Sequence, residues 1–204
     1  MADLAGVKLK IVQTETSISA KSTTFLLHPD APEEPITSTA AIAVLLCKLG
    51  NDFGKRLIGS DKSMEEVAVE GWLAWFDLNW HRVATNAEKA ITSPPNATQP
   101  QGQHCIFQIK HILLPEIERK LADQLSPLPS ITLNRLTLAD IYISLHLSFL
   151  FQSLIGQQFQ KTIPTVSSWF QRIMSLPAVV SRSGYVKIGK VPVALGAPRP
   201  FSVE

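Results

Sequence analysis

Cysteine is scarce: 204 residues include only Cys47 and Cys105, in neither a CxxC nor any other metal-type spacing. That excludes a disulfide-scaffolded small domain and a cysteine-built metal site, and fits a reducing compartment. Charge of one sign is also lacking. Nineteen Lys and Arg against 17 Asp and Glu leave a net +2, too little to hold nucleic acid or an anionic membrane by field alone. No long hydrophobic run is present. The most apolar stretch, 141–155, is broken by Ser144, His146, Ser148, Gln152 and Ser153, which makes it too short and too polar for a bilayer. The first eight residues lack both the apolar core of a signal peptide and the arginine-rich face of a presequence. A cytoplasmic location without membrane attachment is the expectation. The triplet Asn96-Ala97-Thr98 matches a glycosylation sequon, but without a secretory signal it has no weight. There is no internal repeat or low-complexity tract.

What the chain does have is core-forming material: 45% hydrophobic and 18% charged residues, a packed composition. Residues 7–13 alternate Val7, Leu9 and Ile11 with Lys8 and Lys10, a strand pattern, and 23–28 is a second strand candidate. A Pro/Glu-rich turn to Pro35 follows. Ser38 or Thr39 then caps a helix through Ala41, Ile42, Leu45, Leu46 and Leu49 to Gly50. From Ser60 the pattern becomes helical. Glu65 and Glu66 open a helix carrying Trp72, Trp75, Phe76, Leu78 and Val83, with an apolar face wide enough to pack on more than one side. Residues 93–103 read as a polar, proline-rich loop. The next helix runs through Ile106, Ile109, Leu113, Ile117 and Leu121, with Pro115 inside it as a kink or break. Residues 126–130 connect to a central buried helix over 138–155. Pro164 starts another helix and Pro177 closes it, a short helix follows to about Ile188, and a proline-rich tail begins at Val191.

Two motifs are specific. In Leu136-Thr137-Leu138-Ala139-Asp140-Ile141, Thr137 and Asp140 stand at capping-box spacing before the apolar run. Pro164-Thr165-Val166-Ser167-Ser168-Trp169-Phe170 follows, then Ile173 and Leu176-Pro177-Ala178-Val179. Together they resemble the C-terminal helical domain of the glutathione-transferase (GST) superfamily, over roughly 61–190. Thr39-Ala40-Ala41-Ile42-Ala43, Leu57-Ile58-Gly59-Ser60 and Trp72-Leu73-Ala74-Trp75 are similar to the elongation-factor-one-epsilon type of auxiliary protein. That places the resemblance in the translation-associated branch, with elongation factor one gamma and the N-terminal domains of methionyl- and glutamyl-tRNA synthetases. It implies a mainly α, GST-like fold: a shortened thioredoxin-like α/β half at 1–60, an all-helical GST C-terminal domain at 61–190, and a tail or linker at 191–204.

The resemblance implies a non-catalytic scaffold of the translation machinery. It would dock GST-like domains of aminoacyl-tRNA synthetases or elongation factor one subunits within a multi-synthetase complex. Self-pairing into a homodimer is a further mode, tRNA association is indirect, and no cofactor, metal or catalytic residue is assigned. Relatives pair through two surfaces, one involving the N-terminal half and one the Trp-Phe helix, where an arginine directly before that pair helps. Here Ser168 stands in its place and Arg172 lies one turn later, so the interface set is Ser168, Trp169, Phe170 and Arg172. Two alternatives stay open. One is a divergent glutathione transferase using a hydroxyl among Thr14, Thr16, Ser17 and Ser19. In that role only Pro35 fits the family's cis-proline, and Ser38-Thr39 replaces its acidic-Ser pair without the carboxylate. The other is an N-terminal appendage of a longer tRNA-binding or synthetase protein. His104, Cys105 and His111 fit no zinc pattern. His146 reads as a hydrogen-bonded core residue, and Arg182, Lys187, Lys190 and Arg199 as a solvated surface.

Overall fold

Helix boundaries follow the caps written in the sequence. The computed structural model of the chain describes residues 26–28, 31–36, 38–92, 100–124, 129–132, 135–186 and 188–189. The strand expected at 7–13, the hydroxyls of Thr14, Thr16, Ser17 and Ser19, and the tail from 191 lie outside them. The described chain is mainly helical and divides into two compact units, Met1–Gly71 and Trp72–Glu204. The sequence boundary at residue 60 marks where helical periodicity begins, whereas the units divide after Gly71.

In the first unit, β1 (Leu26–His28) pairs antiparallel with β2 (Ala31–Ile36), with a register shift along the pair. The stretch read as a turn up to Pro35 is therefore largely strand. Among the described residues the sheet has two strands, and a proline without an N–H is tolerated at a sheet edge. Helix α1 (Thr39–Leu49) is capped by Ser38, whose Oγ accepts the Ala41 N–H at 3.2 Å, and it closes on Gly50. Helix α2 (Asp52–Ile58) packs on α1. The sequence reading left α2 out, although Asn51 is its N-cap, accepting the Gly54 N–H at 3.1 Å. Gly59 ends it at φ +113°, where a Cβ would lie 2.7 Å from Glu65 Cβ. Only glycine fits that stop. Helix α3 (Met64–Thr92) starts at Ser63, whose Oγ accepts the Glu66 N–H at 3.2 Å.

In the second unit, α4 (Pro100–Gln108) begins inside the stretch expected to be loop, because proline at the first helical position needs no N–H partner. A π-helical turn (Ile109–Leu113) leads without a break into α5 (Leu114–Ala122). Pro115 has no N–H for the carbonyl one turn back, and its ring crowds that carbonyl. The chain widens instead of snapping: the Leu114 N–H donates to the Ile109 carbonyl five residues back. Helices α6 (Leu138–Ser153), α7 (Gln157–Gln160), α8 (Pro164–Met174) and α9 (Pro177–Ser183) complete the unit. Helix α8 packs on α5, α6 and α9. The core holds Trp80, Ile109, Leu114, Ile117, Ile143, Leu147, Phe151, Trp169 and Phe170, all buried. The Phe151 and Phe170 rings stack at 4.0 Å, a close offset pair. No described helix is long and apolar enough to cross a membrane.

Candidate docking face on helix α8

Helix α8 is held by three polar devices, and Asp140 is the largest. One turn into α6 and fully buried, its carboxylate accepts five hydrogen bonds. The Ile131 N–H and Trp169 Nε1–H donate to Oδ1 at 2.9 and 2.8 Å. The Ser130 hydroxyl, the Thr137 N–H and the Thr137 hydroxyl donate to Oδ2 at 2.7, 2.8 and 2.7 Å. Thr137 and Asp140 form a capping box. The same carboxylate reaches further, tying the 130–131 segment and the α8 tryptophan to the start of α6. An unpaired carboxylate in that setting would be strongly destabilising; with its lone pairs filled it fixes three pieces of chain.

Glu118 on α5 is the second device. Its two oxygens accept the Thr165 and Val166 N–H groups at 3.0 and 2.7 Å, so a carboxylate from another helix serves as the N-terminal cap of α8. The third is a clamp on the 129–130 segment. Gln124 exchanges two hydrogen bonds with the Ser130 backbone, and Arg172 donates to the Pro129 carbonyl.

These contacts change the interface set. Trp169 is 1% exposed and Phe170 is fully buried, so neither side chain is available to a partner. Helical spacing turns both toward the core, since the apolar face of α8 runs Val166, Trp169, Phe170, Ile173. Arg172 is half-buried and engaged with Pro129. Ser168 alone of the four is exposed. It lines a shallow groove of about 380 Å³ with Thr165, Pro164, Pro129, Gln124 and Leu121. Among the described residues, no ionisable side chain lines this groove. Of the four, Ser168 is the one left at the surface, beside this groove. Sequence reasoning missed Glu118 and Gln124, because each acts on a residue that only tertiary folding brings near.

Elsewhere, His104 and His111 are exposed while Cys105 is buried. Among the described residues no three His, Cys, Asp or Glu side chains group as metal ligands. His146 Nδ1 lies 2.9 Å from the Tyr142 carbonyl; a carbonyl only accepts, so Nδ1 carries the proton. The Tyr142 hydroxyl donates to Asp77 at 2.8 Å, and burial, with Asp77 beside it, pushes the phenol pKa up. In the first unit a cavity of about 310 Å³ is lined by Lys48, Lys55, Ser60, Asp61 and Glu66. Lys48 there pairs with Glu66 at 2.5 Å and Glu70 at 3.3 Å. Ser38 caps α1.

No protein-family model matches the sequence, and no curated protein sequence does. Among solved structures, the chain is similar to the GST-like domain of elongation factor 1-gamma from Saccharomyces cerevisiae. The TM-score is 0.66 at 16% identity, over 85% of this chain and 76% of that one. It is also similar to glutathione transferase F2 from Populus trichocarpa, with TM-score 0.58 at 14% identity, over 72% of this chain and 68% of that one. The chain has a GST-like fold. At these identities the likeness extends to the fold alone.

Proposed function

We propose that this chain is a non-catalytic docking module of the translation machinery, pairing with GST-like domains of elongation factor one subunits or aminoacyl-tRNA synthetases. The observation that carries the reading is the likeness to the elongation factor 1-gamma domain, which covers more of the chain, at a higher TM-score, than the likeness to the plant transferase. Two features add support. The described residues lining the groove beside Ser168 carry no charge, and a face without ionic side chains loses little on desolvation when a partner covers it. At the acidic-Ser position, Ser38 and Thr39 supply no carboxylate for a γ-glutamyl group.

The test is sedimentation velocity on the purified chain mixed in turn with purified GST-like domains of elongation factor one subunits and of synthetases. A one-to-one complex is expected with at least one of them. Ser168→Arg should weaken it by about tenfold, since a bulky cation at the centre of an uncharged contact has no partner. No complex with any domain, together with turnover of glutathione against an electrophile, would replace the reading with a divergent transferase.

A further inference from the structure

Helix α3 buries one side and leaves an apolar stripe on the other. Val69, Leu73, Phe76 and Trp80 are buried. Met64, Val67, Gly71, Ala74 and Leu78 are all exposed, Met64 at 82%, Val67 at 59% and Leu78 at 83%. These five recur at alternating steps of three and four residues along one continuous helix. At roughly 100° per residue they fall within an arc of about 80°, on the side away from the buried four. Alternating steps of this kind form the seam of a helix that packs along another helix. The stripe is about 21 Å long, and none of its five side chains is polar or charged.

Gly71 marks the middle of the stripe. A glycine inside a helix weakens it relative to alanine. Nothing within one chain requires it: a Cβ at Gly71 would meet nothing within 4 Å, and its backbone is not left-handed. With Ala74 one turn on, it leaves a patch of nearly bare backbone where another helix can come close. Trp75, beside the stripe, leans on Trp72 at 5.1 Å between ring centres.

The stripe is matched to itself. Met64 and Leu78 each stand seven residues from Gly71. Asp61 and Arg82 lie beyond them at the two ends, both exposed and, among the described residues, neither ion-paired nor hydrogen-bonded through its side chain. Within one chain the two cannot meet, because Met64 to Arg82 alone spans about 27 Å of helix. Two antiparallel copies crossing at Gly71 set Met64 of one beside Leu78 of the other, and Asp61 of each near Arg82 of its partner. That is the reciprocal contact a two-fold axis requires. An anionic membrane or a nucleic acid does not fit, since residues 64–82 hold Glu65, Glu66, Glu70 and Asp77 against Arg82 as the sole lysine or arginine. We propose that this face pairs with a second copy of the chain, two α3 helices crossing antiparallel at Gly71. The proposal is independent of the α8 groove.

Sedimentation equilibrium of the full chain over a wide range of concentration tests it, with melting curves to show that every variant is folded. The unaltered chain should show a monomer–dimer equilibrium. Gly71→Glu should weaken the dimer by about thirtyfold, because it sets two carboxylates against each other at the axis, while a single chain has open space there. Asp61→Arg and Arg82→Asp should each weaken it by about fivefold. Combining the two should restore it, because a reciprocal contact survives exchange of its charges. Ser168→Arg should leave the dimer unchanged, which separates this face from the α8 groove. A chain monomeric throughout, a dimer untouched by Gly71→Glu, or a double variant weaker than either single one would overturn the proposal. A monomeric chain whose complex with another GST-like domain is lost in Gly71→Glu would also overturn it, and would assign the face to that domain.

Discussion

Asp140 shows how much one side chain can organise. Two oxygens meet five donors drawn from Ser130, Ile131, Thr137 and Trp169, all in the interior. Removing the acceptor strands those donors away from water, and each unmet buried donor costs more than an average hydrogen bond contributes. Asp140→Ala is predicted to lower the stability of the fold by about 3–4 kcal/mol, read as a shifted midpoint in urea denaturation. A change under ~1 kcal/mol would mean that water or a rearranged loop satisfies the donors. The capping spacing of Thr137 and Asp140 was legible in the sequence, since a cap is local. The reach of the same carboxylate to Trp169, 29 positions on, was not. For the same reason Trp169 and Phe170 read as interface residues in sequence and prove to be core: a motif shows that a residue matters, not which way it faces.

At the scale of elements, Pro115 carries the clearest physical consequence. A proline inside a periodic helix predicts a break, yet α4, the π turn and α5 form one continuous rod. Apolar burial on both sides, at Ile109 and Leu114 as well as Ile117 and Leu121, keeps the helices joined, and the lost bond is absorbed by widening. Pro115→Ala restores an N–H and removes the ring clash. It is predicted to raise stability by about 1 kcal/mol and to return the turn to regular α geometry. Thermal unfolding measures the first effect, and amide exchange across 109–115 the second. An unchanged exchange pattern would show that packing, and not the proline, holds the turn open. Helix α2 escaped the sequence reading because it is short, and its signals, Asn51 and Gly59, belong equally to a loop until a partner helix lies against it.

For the molecule as a whole, stability should depend on pH at both ends of the range. Burial pushes the Cys47 thiol up to about 11 from an ordinary 9.0. Between those values the folded chain keeps a proton that the unfolded chain releases, so this contribution is full below 9 and is lost as pH rises toward 11. At the acid end, Lys48 and the Lys62 N–H hold the Glu66 carboxyl below the usual carboxylate range. That contribution is present above the unfolded pKa and is lost as pH falls through the folded one. Urea midpoints across pH check both limbs. Cys47→Ala should flatten the alkaline limb and Glu66→Gln the acid one, while limbs identical to those of the unaltered chain would refute the assignments.

By itself the sequence determined the helical architecture and most helix limits. Caps at Ser38 and Thr137 and prolines at helix starts act within a few residues, and the apolar run at 138–155 makes that helix the centre of any core it joins. Its two motifs pointed to the GST-like fold because their residues hold that fold together. Only the tertiary structure decided which surfaces remain for a partner. Exposure is a property of what packs on a residue, so Ser168, beside its groove, became distinguishable from the buried Trp169 and Phe170 only after helices distant in sequence had met.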